Sequence, residues 1–301
     1  MPRLIDPGEG APITLDELVA ALDAEPGDLA DEARLAGFAP LLARLARNRD
    51  FLADIAVAEL KAYARVDSTI GGYGAQVLML RPANGRYVLR ANFWPAESDS
   101  VVRASGATPF FYNHAHDHNF SFLTVGYAGP GYWSDTYEYD VDTVTGISGE
   151  KVDLRFAGRI RLDPGTVLLY RARRDVHVQL SPDAFSVSLN ILAADPSQIW
   201  RDQFRFDIAA GTIAETLTVA PSEALVALAV HLGGGEGRDL ADDFAARHPS
   251  PRMRVTALGA LASAARDRAA AHALFERAAD DADYYVAGHA RRHLALLEND
   301  P

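Results

Sequence analysis

Apolar side chains recur at three- and four-residue spacing from Thr14 to about Val66, in LDELVAALDA, LAGFAPLLARLAR and FLADIAVAELKAYARV, and that period predicts amphipathic helices. Thr14-Leu15-Asp16-Glu17 has the form of a capping box, in which hydroxyl and carboxylate each satisfy a backbone N–H at a helix start. After Ser68-Thr69-Ile70-Gly71-Gly72-Tyr73-Gly74 the period shortens to two. Runs rich in β-branched and aromatic residues follow: AQVLML, RYVLRANFW, PFFYNHAH, FSFLTV, GYWSDTYEYD, KVDLRFAGRIRL, TVLLY, VHVQL, FSVSLNIL and FRFDI. Turn signals at 82–85, 128–131, 163–165 and 181–183 punctuate them, and no helix-length segment intervenes. This favours two packed sheets or a barrel over a parallel α/β sheet. From Ser222 the chain is alanine-rich with helical period, in segments near 222–232, 237–248, 252–265, 268–279 and 283–297. The pattern thus predicts a mixed fold: an N-terminal helical region over 1–68, an all-β domain over 69–215 and a C-terminal helical region over 216–301.

Composition narrows the function classes. A formal net charge of −12 argues against a nucleic-acid partner, which would be held by clustered Lys and Arg. With no cysteine, disulfides, thiolate metal sites and a thiol nucleophile are excluded, so a metal must be held by His, Asp or Glu. The start, MPRLIDPGEGAPIT, lacks the apolar core of a signal peptide, and no stretch approaches the roughly 18 apolar residues of a membrane span. A cytoplasmic protein without a membrane partner is expected.

The candidate chemistry is concentrated in NHAHDHNFSFLTVGY, residues 113–127, which holds three of the nine histidines. In an extended strand His116, His118, Phe120, Phe122 and Thr124 share one face, and Asp117, Asn119, Ser121 and Leu123 the other. Residues two apart lie about 6.5–7 Å apart along a strand, close enough for two imidazoles to lean onto one ion at about 2.0–2.1 Å. A surface or hydrogen-bonded HxH pair is the alternative. Further on, DPGTVLLYRARRDVH reads as a turn, an apolar strand, a second turn and a strand opening on His177.

Together these two stretches resemble the cupin superfamily. Its first motif is an HxH pair followed by a glutamate and a closing glycine, and its second leads from a glycine turn to a third histidine. His116-Asp117-His118, with Phe122 in the acidic position and Gly129 in the closing one, matches the first; Gly165 to His177 matches the second with one extra residue. The resemblance covers about residues 72–210. Arg171 and Arg173 replace a proline and a glycine of the second motif, and the opening glycine is displaced to Gly106. The resemblance implies a jelly-roll barrel, the double-stranded β-helix. Because Phe122 replaces the carboxylate, it also implies a site of His116, His118 and His177, similar to the thiol-dioxygenase type that binds iron(II) and leaves positions for dioxygen and substrate. Cupins often cover their edge strands by pairing, so a homodimer is implied too.

Chemistry alone leaves the metal open. Three neutral imidazoles add no charge, so the ion keeps its Lewis acidity and can accept an anionic chelating substrate. Imidazole suits zinc, nickel and copper as well as iron, and manganese is a further option. The run has no HxD or HxE, which disfavours 2-oxoglutarate oxygenases. His114 has the parity to be a fourth ligand or to form a shifted pair with His116. Glu138, in YEYD, is either a carboxylate ligand or general base or a solvated strand residue.

Around the metal, Arg90 and Asn92 share a strand face in VLRANFW, where Arg90 is either a surface residue or a bidentate partner for a substrate carboxylate. Gln179 shares the face of His177 and is a candidate substrate or ligand-orienting hydrogen-bonding residue. Tyr112, Tyr132, Trp133 and Tyr137 are pocket-wall candidates, and Asn190 reads as structural. The remaining histidines, at 231, 248, 272, 289 and 293, form no ligand pattern; Arg291 and Arg292 between His289 and His293 suggest a solvated face. In HPSPRMRVTALGALASAA the spacing of Met253, Arg254, Ala257, Ala260 and Leu261 resembles the second helix of a HEAT-like repeat, with an ordinary helical hairpin as the alternative.

The leading expectation is an iron(II)-dependent oxygenase acting with dioxygen on a small polar or amino-acid-like molecule. A metal-dependent hydrolase or isomerase on the same ligands, or a non-catalytic small-molecule sensor, is the alternative.

Overall fold

The computed structural model describes residues 1–64 and 76–299. The turn at 68–74 and the boundary expected at 68/69 lie outside the described residues. The chain divides into two compact units, Met1–Val141 with Asp153–Gln198, and Asp142–Val152 with Ile199–Pro301. The N-terminal helices therefore belong to the same unit as the principal β-sheets.

In the first unit the helical period becomes α1 (Leu15–Ala24), α2 (Glu32–Gly37), α3 (Ala39–Arg47) and α4 (Phe51–Ala64). The capping box forms: Thr14 N donates to Glu17 Oε2 at 2.7 Å and Glu17 N to Thr14 Oγ1 at 3.2 Å. The strands are β1 (Arg3–Ile5), β2 (Val77–Arg81), β3 (Tyr87–Trp94), β4 (Ala115–His116), β5 (Phe122–Ala128), β6 (Trp133–Glu138), β7 (Arg155–Arg161), β8 (Val167–Tyr170), β9 (Asp175–Gln179) and β10 (Ser186–Ala193), with a short helix α5 (Ser100–Ser105) after β3. Two antiparallel sheets result, ordered β1-β8-β5-β10-β3-β2 and β4-β9-β6-β7. The unit is a double-sheet jelly roll with flanking helices.

The first sheet is buried on both faces, and the two faces differ. Leu89, Ala91, Leu123, Val125, Leu169, Leu189 and Ile191 join Leu18, Leu22, Leu35, Leu42 and Leu45 of α1–α3 in one apolar core. The alternate positions turn to the space between the sheets. There Trp94, Phe122, Leu168, Tyr170 and Leu192 form a second core with Tyr112 and Tyr132. Polar residues share that inner face: Arg90 is level with Asn190 and Asn190 with Thr124, while Asn92 is level with Ser188. Strand β10, SVSLNILA, is buried throughout although its inward positions include serines and an asparagine.

The histidine run does not form a single strand. Phe111 and Asn113 take positive φ, 59° and 62°, after a short 3-10 turn at Thr108–Phe110, so PFFYNHAH is largely irregular. Only Ala115–His116 enters the second sheet, where His116 is level with His177. The chain then crosses to the first sheet, which it joins at Phe122. A period of two cannot reveal such a crossing, because the residues on either side keep apolar partners in both sheets.

The second unit holds the hairpin β11 (Phe204–Asp207) and β12 (Thr212–Thr216), followed by α6 (Pro221–Leu232), α7 (Gly234–Arg247), α8 (Pro251–Ser263), α9 (Arg268–Ala278) and α10 (Tyr284–Asn299). Val226, Val230, Ala241, Met253, Ala257 and Ala260 pack α6–α8, and Leu258, Phe275, Ala278, Val286 and Ala290 pack α8–α10. Among the described residues no helix is long and apolar enough to cross a membrane.

The core between α1–α3 and the first sheet generates a stability prediction. Leu189 is fully buried there, so Leu189→Ala should cost about 2–5 kcal/mol in chemical denaturation. Phe156→Ala, at a side chain 61% exposed, should change stability by less than about 0.5 kcal/mol.

Candidate metal centre

Two stretches remote in sequence supply the imidazoles of His116, His118 and His177: β4 with the crossing that follows it, and β9. Their ligating nitrogens all lie within 4.8 Å of one another. The Nε2 of His177 is 3.1 Å from that of His118 and 3.1 Å from that of His116. His116 and His177 come together because β4 and β9 place them level; His118 arrives from the crossing.

That crossing is anchored at successive residues. Asp117, fully buried, accepts from the Tyr139 hydroxyl at 2.7 Å. The His118 carbonyl accepts from Arg173 N at 2.7 Å, where Arg173 takes φ 54°. Asn119 donates to the Gln198 carbonyl at 3.0 Å, and Ser121 Oγ accepts from Ala172 N at 3.0 Å. These bonds turn the backbone so that residue 118, like 116, points inward.

The protonation pattern fits a metal site. The His114 carbonyl lies 2.9 Å from His116 Nδ1 and can only accept, so Nδ1 carries the proton and Nε2 presents its lone pair to the cluster. His177 Nδ1 is buried with no hydrogen-bond partner among the described residues. Its polar contacts are the two neighbouring imidazoles. With a lone pair on His116 Nε2, a proton on His177 Nε2 can serve His116 but then blocks acceptance from His118. The three converging imidazole nitrogens are a donor set that suits one transition-metal cation.

Burial lowers the His116 pKa to about 4, and burial with the adjacent His116 holds His177 well below the usual histidine range. Both are therefore neutral, as ligands must be. Aromatic rings enclose the cluster: Phe122 lies 4.9 Å from His118, stacks on Tyr170 at 4.7 Å, and Tyr170 lies 4.7 Å from His177. The position that matched the cupin glutamate is thus an apolar wall.

The other candidate residues separate. His114 contributes its carbonyl, while its ring lies outside the cluster, against Phe111 at 6.0 Å. Glu138 is also outside it. Its carboxylate is engaged by Arg171 at 2.7 Å, Arg174 at 3.6 Å and the terminal amine of Met1. The hydrogen bond from that amine, with Arg171, holds its pKa at about 2, the reverse of what a general base needs. Gln179 is buried two residues beyond His177 and bonds Tyr132. Tyr112 and Tyr132 line the interior, but Trp133 is 43% exposed and Tyr137 packs on exposed Phe156, both on the outer face of the second sheet.

Thr124 and Asp117 were not among the residues singled out in the sequence, and Asn190 read only as structural. The signal for Asn190 was present: Ser186, Ser188 and Asn190 alternate with Val187, Leu189 and Ile191. Such polar spacing in a strand buried on both faces marks a functional interior.

No protein-family model matches the chain, and no curated protein matches it. Solved structures give distant likenesses. Hydroquinone 1,2-dioxygenase from Sphingomonas sp., with 4-hydroxybenzoate bound, is 9% identical at TM-score 0.27, with 42% of this chain and 69% of that one covered. The DMSP lyase DddQ from Ruegeria pomeroyi is 14% identical at TM-score 0.25, over 64% of this chain and 79% of the other. A cupin protein from Bacteroides fragilis is 14% identical at TM-score 0.24, over 43% and 83%. In another DMSP lyase structure the matched region spans 44% of that chain, less than half its length.

Proposed function

We propose that this chain is a metal-dependent oxygenase that holds iron(II) through His116, His118 and His177 and acts on a small polar molecule inside the jelly roll. The observation that carries the reading is the convergence of three imidazole nitrogens, two of them on buried histidines, within 4.8 Å of one another. Iron is among the metals that imidazole donors suit. Three protein ligands leave positions for small molecules. Bound iron would supply Lewis acidity and redox chemistry with dioxygen.

The chain's own residues set the environment. Asp117, with Tyr139 behind it, and the His114 carbonyl orient His118 and His116, which would otherwise rotate on flexible side chains. Phe122 and Tyr170 exclude water from the imidazoles, raising the strength of every polar contact there. Gln179 and Tyr132 offer hydrogen-bonding groups beside the cluster for orienting a substrate.

Reconstitution of anaerobically purified protein should give one transition-metal ion per chain, read by elemental analysis. His118→Ala and His177→Ala should each weaken binding by at least about 100-fold. Absence of any bound metal would sink the proposal; tight zinc with no oxygen uptake on amino acids, thiols or phenols would replace it with the hydrolase or isomerase reading.

The metal-free protein should also be acid-sensitive in a defined window. His116 is neutral when folded down to about pH 4, but takes up a proton near pH 6.5 when unfolded. Stability is therefore flat above about pH 6.5 and falls as pH drops from 6.5 to 4, by about 3 kcal/mol from this residue alone. Denaturation at pH 7.5, 6 and 5 checks this, and His116→Leu should flatten the profile.

A further inference from the structure

The interior of the first unit holds a second polar group that the imidazoles do not use. Arg90 and Asn92 face inward from β3, Asn190 and Ser188 are level with them on β10, and Thr124 is level with Asn190 on β5. From the opposite sheet Gln179 and Tyr132 approach, and among the described residues the Tyr132 hydroxyl is the ionisable group that acts on the Arg90 guanidinium.

Arginines elsewhere in this protein show what a guanidinium in protein surroundings normally has. Arg171 holds Glu138 at 2.7 Å and Asp175 at 2.6 Å. Arg252, 8% exposed, holds Asp202 at 3.0 Å and also Glu223. Arg90 has no such partner among the described residues: its Nε is buried without a hydrogen bond, as are Asn92 Oδ1 and Thr124 Oγ1 on the same wall. Burial shifts its pKa downward, the mark of a desolvated cation without a counter-charge. Its neighbours on that strand face, Val88 and Trp94, pack in the apolar inner core, so packing alone would favour an apolar residue here. Arg90 is half-buried with its Nε fully so, and an unpaired charge partly withdrawn from water is a cost that a ligand can offset.

The location suits a substrate. The Arg90 row lies one two-residue step, roughly 7 Å, from the row of Phe122, whose ring touches His118 at 4.9 Å. Gln179 takes the same step from His177 on the opposite sheet. A planar fork of N–H donors flanked by hydroxyl and amide groups matches a carboxylate. With a net charge of −12 the protein has no general attraction for anions, so such a ligand needs a dedicated site.

We propose that Arg90, with Thr124, Asn190 and Gln179 around it, binds the carboxylate of a small anionic substrate whose other end reaches the three imidazoles. The link to a substrate rests on the function proposed above, but the anion site itself needs no metal, so the two fail separately.

The test uses metal-free full-length protein and thermal unfolding with acetate, succinate or benzoate, against the corresponding amides and sodium chloride at equal ionic strength. At least one carboxylate should raise Tm by roughly 2–4 °C at ten times its Kd, with no effect of its amide. Arg90→Met should abolish that shift while its ligand-free Tm equals or exceeds that of wild type, because the unpaired charge is gone. Arg90→Lys should keep a weaker shift, and the exposed Arg103→Gln should keep all of it. Wild type unmoved by every carboxylate, a shift retained in Arg90→Met, or a folded Arg90→Met protein less stable than wild type would overturn the proposal. Should Arg90→Met not fold, Thr124→Val decides: at least a tenfold weaker carboxylate Kd supports the site and an unchanged one overturns it. Loss of metal binding alongside an intact carboxylate shift would defeat the oxygenase reading and leave this site standing.

Discussion

The structure turns on three inward-facing imidazoles, two buried and one half-buried, with the Nε2 of His177 at 3.1 Å from each of the other two. His116 has its proton fixed on Nδ1 by the His114 carbonyl, so its lone pair faces His177, and His177 Nδ1 has no hydrogen-bond partner among the described residues. A cation at their meeting point would take up the lone pairs. The surroundings follow from it. Asp117 and Tyr139 fix the crossing behind the site, and stacked Phe122 and Tyr170 keep water from competing for the lone pairs.

A site of this kind needs an interior that is not spent on packing. Here the apolar core lies largely on the outer face of the first sheet, where Leu89, Leu123, Leu189 and Ile191 meet the leucines of α1–α3. The N-terminal helices thereby supply stabilising burial that a barrel would otherwise draw from its own centre. The inner face is left able to carry Arg90, Asn92, Thr124, Ser188 and Asn190. Stability and chemistry are divided between the two faces of one sheet.

The ion pairs divide in the same way. Arg171 gathers Glu138 and Asp175 and so closes one region of the unit electrostatically, which removes Glu138 from acid–base work. Arg90 faces inward with no such partner among the described residues. The same residue type is ion-paired in one place and without a carboxylate partner among the described residues in the other.

Periodicity by itself determined the helices at both ends, the capping box at Thr14 and the β nature of the centre, because these depend on local spacing, and the resemblance carried by HxH and His177 pointed to the three histidines that cluster. Parity also placed Arg90 with Asn92, and Gln179 with His177, on common strand faces, while the register of the sheets turned those faces inward. Only the tertiary structure decided that the histidine run bends between two sheets, that His114 contributes a carbonyl rather than a ring, and that Glu138 is spent on Arg171. It alone showed that Asn190 belongs to the row of Arg90 and that Trp133 and Tyr137 face outward. The physical reason is common to these cases. Spacing along a chain fixes which side of its own strand a residue occupies, whereas the partner it meets there is set by register between strands distant in sequence.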